Sequence, residues 1–435
     1  MATAAPLMWV DRPCAEQYYR IRYGCREKHD TIWVEVGPFL PSIASKTDAP
    51  NEDCCSTGEV LEMESARAAV VTGIREIEIR EFPVPDPAPG TFIGEPELAG
   101  ICGTDVHTII GHNPLVQFPN TPGHEMSIRI VKLGPGLVAD SAGVPIAEGD
   151  RVYVHPAMAC GICHFCRVVK EPTKCLQLDA YGEYNCDEKP LRGAWSERIY
   201  IDHPRTYFLK TNLPAKLVAM VEPLAVGVHG VMKGGVELGD TAVIQGAGAI
   251  GLGALVAAIE SGATRTIVVG APQSRLELAK GFGASEVVDI TEVTSPAERA
   301  KLVREMTPRG WGADVVFECA GVADAVPEGI EMLRPAGRFI ELGSFTNTGD
   351  TTINPYRHLL SKSIHLVGCC GDQVEHVPAS LRILESGKYA FEEIISHEVP
   401  LDEILAAVEA LLGKDGYRLH GKETRKVVVN PLLQS

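Results

Sequence analysis

The stretch Thr241-Ala-Val-Ile-Gln-Gly-Ala-Gly-Ala-Ile-Gly251 decides the fold class of this chain. An apolar β run leads directly into a Gly-x-Gly-x-x-Gly pattern, and a helical segment rich in Ala and Leu follows. Gly246 is expected to make the tight turn, Gly248 to admit a pyrophosphate close to the backbone, and Gly251 to let helix and strand pack closely. The helix N-terminus then faces the phosphates with free N–H groups and a favourable dipole. This context predicts a dinucleotide site, with cofactor-binding positions Gly246, Gly248, Ala249, Ile250 and Gly251.

The sequence around this stretch alternates strands and helices from about residue 215. Helical segments at 249–261, 274–282 and 325–334 separate several of the apolar β runs. Six buried strands with crossover helices predict an α/β fold built on a doubly wound parallel sheet. The six predicted strands are Thr241-Ala-Val-Ile, Thr266-Ile-Val-Val, Glu286-Val-Val-Asp-Ile, Asp314-Val-Val-Phe, Arg338-Phe-Ile-Glu-Leu and Ile364-His-Leu-Val.

The end of the second predicted strand bears on the choice of nucleotide. A carboxylate that binds the ribose hydroxyls is expected there, about 20 residues after the glycine turn. That place holds Gly270, and no carboxylate follows before Glu277. The missing carboxylate removes the repulsion that excludes a 2′-phosphate, and Arg275 could pair with one, although a solvated Arg275 is the alternative. The sequence predicts NAD or NADP, with NADP slightly favoured.

The region before residue 215 has a different texture. Short segments with period-2 alternation recur between Pro and Gly clusters, which is typical of a compact β-rich domain. The chain ends in Lys426-Val-Val-Val, a predicted further strand of that domain. The strand-like segments begin near Ala68 and include Ile77-Glu-Ile-Arg, Ser127-Ile-Arg-Ile-Val, Arg151-Val-Tyr-Val and Glu197-Arg-Ile-Tyr-Ile.

A lobe within this region gathers four cysteines: Cys160, Cys163, Cys166 and Cys175. Four thiolates in so short a segment match a closed tetrahedral zinc site, which is structural because no position stays open to substrate. His164 is predicted to lie at the surface, and Cys186 is a weaker candidate for the fourth ligand. A zinc ribbon that binds nucleic acid shares the spacing, but the acidic charge of the chain disfavours it.

A second group of potential ligands lies in Gly100-Ile-Cys-Gly-Thr-Asp-Val-His107 and in Gly123-His-Glu125. A soft thiolate, an imidazole and a carboxylate gathered this way are the ligand set of a zinc site that is left open for chemistry.

Composition excludes several other classes. The chain has 435 residues, 45% of them hydrophobic, and a net charge of −17, so nucleic acid and anionic membrane surfaces are disfavoured as partners. No apolar run approaches the ~20 residues that span a bilayer. The N-terminus lacks the basic region of a signal peptide, and 13 cysteines, four of them in one lobe, suit metal binding in a reducing compartment, so a cytoplasmic location is predicted. Residues 1–62 are predicted to be an N-terminal extension: a pocket-covering or partner-binding segment, a poorly ordered leader, or a stretch translated from a start codon upstream of the true one at Met63.

Taken together, the five motifs resemble the zinc-containing medium-chain dehydrogenase/reductase family, which includes alcohol, sorbitol and threonine dehydrogenases. The resemblance covers about residues 64–430. It implies a GroES-like β-rich catalytic domain at 63–222, with the structural zinc lobe at about 156–180. It also implies a Rossmann cofactor domain at 223–366 and a return of residues 367–435 to the catalytic domain, with the active site between the two domains. The motifs include Glu222-Pro-Leu-Ala-Val-Gly-Val-His229 besides those quoted above.

By this resemblance Cys102 and His124 are expected to ligate the catalytic zinc. Glu125 stands where polyol and threonine dehydrogenases have a carboxylate that can join or leave the metal. Glu222 stands where alcohol dehydrogenases have a second cysteine, and the sequence leaves open whether it binds zinc directly or through water. This departure from the Cys₂His set moves the expected substrate from simple alcohols towards polyols, sugars or amino-alcohols.

The resemblance also assigns the proton-transfer residues. Thr104 is expected to hydrogen-bond the substrate oxygen, unless it only satisfies a nearby backbone group, and His107 to pass the proton towards solvent. Asp105 is expected to orient His124, as carboxylates beside metal-binding histidines usually do. Lys426 resembles a residue that contacts the cofactor pyrophosphate. Weaker candidates are His155 and Trp195 near the cleft, and the nicotinamide is expected near Cys319-Ala-Gly321 and Gly368-Cys-Cys-Gly371.

The function predicted is hydride transfer between a secondary alcohol or polyol-like hydroxyl and NAD(P), with one catalytic and one structural Zn²⁺. An NADPH-dependent carbonyl reductase is the alternative, because the direction is unreadable. A non-catalytic binding protein on the same scaffold is disfavoured, since the ligand and glycine motifs are all present. A homodimer or homotetramer is expected from the resemblance.

Overall fold

A computed structural model of the chain describes residues 64–113 and 116–434. The predicted N-terminal extension lies outside the described residues. The elements up to residue 234 are β1 (Ser65–Gly73), β2 (Glu76–Pro83), β3 (Phe92–Gly100), α1 (Gly103–Ile109), β4 (Glu125–Leu133), β5 (Arg151–Val154), β6 (Ala157–Met158), β7 (Asp179–Ala180), β8 (Ile199–Ile201), β9 (Phe208–Lys210), α2 (Ala215–Val218) and α3 (Val221–Gly234).

The glycine-turn region forms one parallel sheet, because its apolar strands are buried on both faces by helices. Its six strands lie in the order β12-β11-β10-β13-β14-β15, so the topology reverses between β10 and β13. This order confirms the predicted doubly wound sheet and places a switch point at the glycine turn. The elements are β10 (Thr241–Gln245), α4 (Ala249–Glu260), β11 (Arg265–Gly270), α5 (Gln273–Gly281), β12 (Glu286–Asp289), α6 (Pro296–Glu305), β13 (Ala313–Glu318), α7 (Ala325–Met332), β14 (Leu333–Glu341) and β15 (His365–Gly368).

The helix predicted at 325–334 is shorter than expected. It ends at Met332, and the strand β14 begins at Leu333. Pro335 disfavours helical backbone at the residue before it, so the chain leaves the helix early.

The remaining residues return to the first region. Their elements are α8 (Val377–Glu385), β16 (Ile395–Val399), α9 (Ile404–Leu411), β17 (Arg418–Leu419), β18 (Lys422–Glu423) and β19 (Lys426–Val429). The strand β19 enters a sheet with the order β16-β19-β3-β4-β5-β9, in which β8 also pairs with β3. The predicted C-terminal strand of the β-rich region is therefore present, and it lies directly beside β3.

The helical stretch Ala215–Gly234 is long and apolar enough to cross a membrane by composition alone. However, 78% of its most apolar window is buried inside the protein. The α3 part of this stretch packs against α4 and α8, so it is a core helix, and Glu222 lies in its first turn.

Candidate metal and nucleotide sites

Cys102, His124 and Glu125 converge where two adjacent strands meet. The antiparallel register of β3 and β4 places Gly100 opposite Glu125. Cys102 follows two residues after Gly100, at the N-cap of α1, and His124 immediately precedes β4. One potential ligand atom from each of the three side chains lies within 4.8 Å of the others. A thiol, an imidazole and a carboxyl group at this spacing fit a metal ion such as zinc.

Asp105 links two members of this cluster. Its Oδ2 accepts a hydrogen bond of 2.8 Å from the backbone N–H of Cys102. Its Oδ1 lies 3.6 Å from Nδ1 of His124, which is the arrangement expected of a carboxylate that orients a metal-binding histidine. Burial alone lowers the pKa of His124, but the neighbouring Asp105 and Cys102 raise it well above its usual value. Electrostatic attraction to Asp105 and Cys102 therefore adds to packing in fixing the His124 ring.

Glu125 has a cationic partner that the sequence does not reveal. The ammonium group of Lys426, at the start of β19, forms an ion pair with Glu125 Oε2, and both side chains are buried. Burial lowers the pKa of Lys426, but Glu125 and Cys102 outweigh it and raise the pKa. The sequence predicts a pyrophosphate contact for Lys426. The structure instead places its ammonium group in the Cys102–Glu125 cluster.

Glu222 lies near this cluster but is not one of the three grouped ligands. Burial, then Asp372, then Glu125 raise the pKa of Glu222 to about 8. Asp372 follows β15 and was not a sequence candidate, although the carboxyl ends of parallel strands meet at the switch point and could have indicated it.

His155 also meets Asp372. Its Nδ1 donates to the Ala157 carbonyl over 2.8 Å, and its Nε2 lies 3.3 Å from Asp372 Oδ2. Because Nδ1 carries the donated proton, Nε2 of a neutral His155 would have a lone pair facing the Asp372 carboxylate, and the two groups would repel each other. Burial lowers the pKa of His155, but Asp372 more than offsets it and raises the pKa. The Asp372 carboxylate therefore stabilises the protonated form of His155 beside Glu222.

Thr104 and His107 both lie on α1. Thr104 Oγ1 is 3.6 Å from Cys102 Sγ, so its hydroxyl group faces the cluster. The ring of His107 lies edge-on to Phe345 at 5.3 Å and 5.6 Å from the exposed ring of His112. Burial and the nearby His112 lower the pKa of His107, and its Nδ1 is buried without a hydrogen bond. A neutral imidazole placed there can accept a proton.

The four cysteines of the predicted structural site also converge, with one sulfur of each within 4.8 Å of the others. Cys163 Sγ lies 3.5 Å from Cys166 Sγ and 3.9 Å from Cys175 Sγ. The backbone N–H of Cys160 donates to Cys175 Sγ over 3.1 Å, and that of Cys163 to Cys160 Sγ over 3.3 Å. Backbone N–H groups lower the pKa of Cys163 to about 6, whereas burial and the neighbouring Cys163 raise that of Cys166 to about 12, so without a metal the thiolate charge is concentrated on Cys163. Such a set fits a closed zinc site, and Cys186 is not part of it.

The glycine turn has the close contacts that its pattern predicts. Gly246 has a φ of +99°, and a Cβ on it would lie 2.8 Å from the backbone of Cys319. A Cβ on Gly251 would lie 1.9 Å from the Gly246 carbonyl oxygen. Gly248 is the N-cap of α4, with open space where a Cβ would be. Of the three glycines in the turn, Gly248 is therefore the one that leaves room for a ligand.

Arg275 differs from both sequence readings. Gly270 ends β11 as predicted, with no carboxylate. The guanidinium of Arg275 on α5 donates to the Thr424 carbonyl over 3.2 Å, so it is neither fully solvated nor free for a phosphate. Its Nε is buried without a hydrogen bond, and burial lowers its pKa. Arg275 thus ties the nucleotide-binding region to the segment that carries Lys426.

The other sequence candidates are packed in the core. Trp195 is fully buried, and its ring fills the space beside Gly123. His229 donates from Nδ1 to the Gly371 carbonyl over 2.7 Å and stacks on His376 at 4.4 Å. Trp195 therefore packs beside the residue that precedes His124, and His229 holds the residue that precedes Asp372.

A parallel sheet with a nucleotide turn, an open ligand cluster and a four-cysteine lobe define a two-domain zinc-binding dehydrogenase. The alcohol dehydrogenase GroES-like domain family matches residues 91–211, and the zinc-binding dehydrogenase family matches residues 249–386. The chain belongs to the zinc-containing medium-chain dehydrogenase/reductase family, and it is an enzyme that uses zinc and NAD(P).

Three similar proteins illustrate the relationship. The 5-exo-hydroxycamphor dehydrogenase of Pseudomonas putida is 33% identical over 80% of this chain and 96% of its own length. A sorbitol dehydrogenase of Halalkalibacterium halodurans is 30% identical over 83% of this chain and 97% of its own. The crystal structure of an alcohol dehydrogenase from Thermotoga maritima is 30% identical, covers 84% of this chain and 99% of its own, and superposes with a TM-score of 0.77.

Proposed function

We propose that this enzyme interconverts a polyol-like secondary alcohol and its ketone at the Cys102–His124–Glu125 cluster. One observation carries this proposal: a single thiol is grouped with an imidazole and a carboxyl group, and further buried carboxyl groups surround them. A ligand set with one sulfur, one nitrogen and one oxygen is harder than a Cys₂His set, and its surroundings are polar. Such surroundings suit a substrate with more than one hydroxyl group.

The residues of the chain divide the work of alcohol oxidation. When bound, zinc acts as a Lewis acid that lowers the pKa of a substrate hydroxyl, and NAD(P) accepts the hydride. Cys102, His124 and Glu125 would hold the metal, and Asp105 keeps His124 in orientation through the 3.6 Å contact. Thr104 faces the same cluster and is placed to hydrogen-bond the substrate oxygen.

His107 is the proposed route for the proton. Its lowered pKa keeps it neutral at pH 7, so it can accept the hydroxyl proton. The exposed His112, 5.6 Å away between ring centres, lies on the side towards solvent. The proton therefore has a short path out through two imidazoles.

The polyol preference has support from relatives. The sorbitol dehydrogenase noted above acts on a polyol, and an erythritol/L-threitol dehydrogenase of Mycolicibacterium smegmatis is 30% identical over 85% of this chain. The hydroxycamphor dehydrogenase, whose name gives hydroxycamphor as its substrate, keeps a bulkier and more apolar alcohol as the second candidate.

The reverse reaction, carbonyl reduction with NADPH, is favoured by one feature. Gly270 leaves the end of β11 without the carboxylate that repels a 2′-phosphate. Arg275 does not add to this preference, because its guanidinium donates to the Thr424 carbonyl.

The proposed assembly is a homodimer or larger oligomer in the cytoplasm. In the described residues, β15 is an edge strand of the six-stranded sheet, and Leu366 on it is 48% exposed. An apolar edge strand is a template for pairing with a second copy. Measurement of the mass in solution tests this, and a monomer would contradict it. The proposed domain limits are 63–222 with 367–435 for the catalytic domain and 223–366 for the cofactor domain.

The decisive experiment combines a substrate screen with metal analysis. Purified protein is assayed with polyols, monoalcohols and terpenoid alcohols against NAD and NADP, and zinc is counted per chain. We expect two zinc ions in the wild type, and one ion with no turnover in Cys102→Ser. The matched control is Cys186→Ser, which removes a buried thiol outside both clusters and should keep both ions and the activity. Full activity of Cys102→Ser would refute the proposed metal chemistry.

A further inference from the structure

The ion pair between Lys426 and Glu125 crosses a strand. The order of neighbouring strands is β19-β3-β4, so β3 separates the lysine from the glutamate. A Cβ on Gly100, in β3, would lie 1.9 Å from Glu125 Oε2 and 3.0 Å from Lys426 Cε. The pair thus occupies the space that any larger residue at position 100 would fill. Because Gly100 has no side chain, the Lys426 side chain can pass over β3 and reach Glu125.

The backbone around Lys426 is fixed on both sides. Ser396 Oγ donates to the Lys426 carbonyl over 3.0 Å and accepts from the Arg425 N–H over 2.9 Å. Arg275 holds the Thr424 carbonyl from the nucleotide-binding region. With its backbone anchored, the ammonium group stays in the cluster rather than moving to solvent.

The charges around the ammonium group are those that a metal ion would also meet. The side chain of Lys426 is 7% exposed and that of Glu125 is 2% exposed, so water screens neither. Cys102 and Glu222 also attract this ammonium group. A unit positive charge and a divalent cation would therefore share one buried carboxylate. In such a place the repulsion between them is much stronger than in water.

From this geometry we propose that Lys426 is a positioning residue that competes with the catalytic metal for Glu125 and keeps this carboxylate a displaceable ligand. The inference rests on the metal site proposed above and adds a specific role to it. Binding of Glu125 to the metal weakens its pair with Lys426, and release of Glu125 restores the pair. Lys426 is therefore an alternative partner for Glu125 when this carboxylate is not bound to the metal, so the buried negative charge of Glu125 is paired in both states.

The test measures metal binding rather than turnover. Lys426→Met removes the charge at similar volume, and Lys426→Gln keeps a hydrogen-bond donor without the charge, in case the first variant folds poorly. Affinity of the catalytic site is measured by chelator competition with Zn²⁺ in protein whose four-cysteine site is filled. We expect at least ~10-fold tighter binding in both variants, because a repulsive charge beside a ligand is removed in a poorly screened site. Lys362→Met, which removes a half-buried lysine that pairs with Glu331, is the matched control and should not change the affinity.

Two further readouts do not depend on affinity alone. Substitution of Co²⁺ into the catalytic site should give a visible spectrum with altered band intensity in the variants, because Glu125 then stays bound. Thermal unfolding should show a larger rise in Tm on metal addition, since Lys426→Met leaves Glu125 unpaired only in the metal-free protein. In a Glu125→Gln background, Lys426→Met should have a smaller effect on affinity than in the wild type, because competition for the carboxylate is gone and only the direct charge repulsion remains.

Equal or weaker metal binding in both variants, with an unchanged Co²⁺ spectrum, would overturn the role of Lys426 while leaving the metal site itself intact. A wild-type protein with only one zinc ion per chain would overturn the proposed metal site together with this role.

Discussion

Replacement of Glu341 by Gln should reduce the loss of stability that the nucleotide-binding sheet undergoes as the pH rises. Glu318 ends β13 and lies opposite Glu341 of β14 in the parallel register. Glu318 is fully buried, and its Oε1 accepts from the N–H groups of Ala320 at 2.8 Å and Gly321 at 3.0 Å. Burial and then the adjacent Glu341 raise the pKa of Glu318 to about 8. At neutral pH Glu318 is therefore mostly protonated.

Among the residues that the structure describes, no cation is recorded beside this pair. On the neighbouring strand β10, the uncharged residue Gln245 lies opposite Glu318 in the parallel register. The thiols of Cys319 and Cys369 are the other titratable groups nearby. Burial raises the pKa of Cys319 well above its usual value and that of Cys369 to about 12, so both stay neutral. Ionisation of both carboxyl groups therefore lowers the stability of the folded state.

The difference in proton binding between the folded and unfolded states determines how the stability of the protein changes with pH. The folded state holds the proton more tightly than the unfolded state, in which Glu318 has its ordinary pKa of 4.5. Stability from this group is fully present below pH 4.5 and is lost as the pH rises through about 8. At ~1.4 kcal/mol per pH unit, that interval corresponds to at most ~5 kcal/mol. At ~2 °C per kcal/mol for a region of this size, the upper limit is ~10 °C in Tm.

The assay is thermal unfolding of wild type and Glu341→Gln between pH 5.5 and 9. Subtraction of the two curves removes the pH dependence of the metal sites, which both proteins share. Glutamine offers an N–H to Glu318 and carries no charge, so Tm of the variant should gain on the wild type steadily as the pH rises. The control is Glu286→Gln on β12, where the side chain is 46% exposed and pairs with Arg265. A difference between the curves that stays constant within ~1 °C from pH 6 to 9 would show that the pair holds no proton.

Two further predictions concern the glycine turn and the buried dyad. Gly251→Ala should lower the free energy of unfolding by ~1–3 kcal/mol and weaken cofactor binding, because its Cβ would lie 1.9 Å from the Gly246 carbonyl oxygen. Gly248→Ala, with nothing within 4 Å of the added Cβ, should leave stability unchanged in the same unfolding assay, and equal losses in both would contradict this reasoning. Asp372→Asn should lower the pKa of His155, since it removes the carboxylate that raises it. An NMR titration of the labelled imidazole that gives the same pKa in both proteins would show that the dyad holds no proton.

Features that depend on neighbours in the chain were predictable from the sequence. The glycine turn needs a strand, three glycines at fixed spacing and a helix, and all lie within Thr241–Glu260. The cysteine lobe needs four thiols within a few residues, and those thiols do converge. Local spacing determines local geometry, so these motifs, the parallel sheet and the family could be predicted from the residues alone.

The charges around the proposed metal site were decided by tertiary structure. Lys426 reaches Glu125 because three strands lie side by side and the middle one has a glycine at the crossing point. Asp372 meets His155, and Glu318 meets Glu341, through contacts between separate elements. Such partners are set by strand order and register, which no spacing along the chain records. The sequence by itself therefore determined the class of enzyme and its candidate ligands, whereas only the folded chain decided which charges those ligands face.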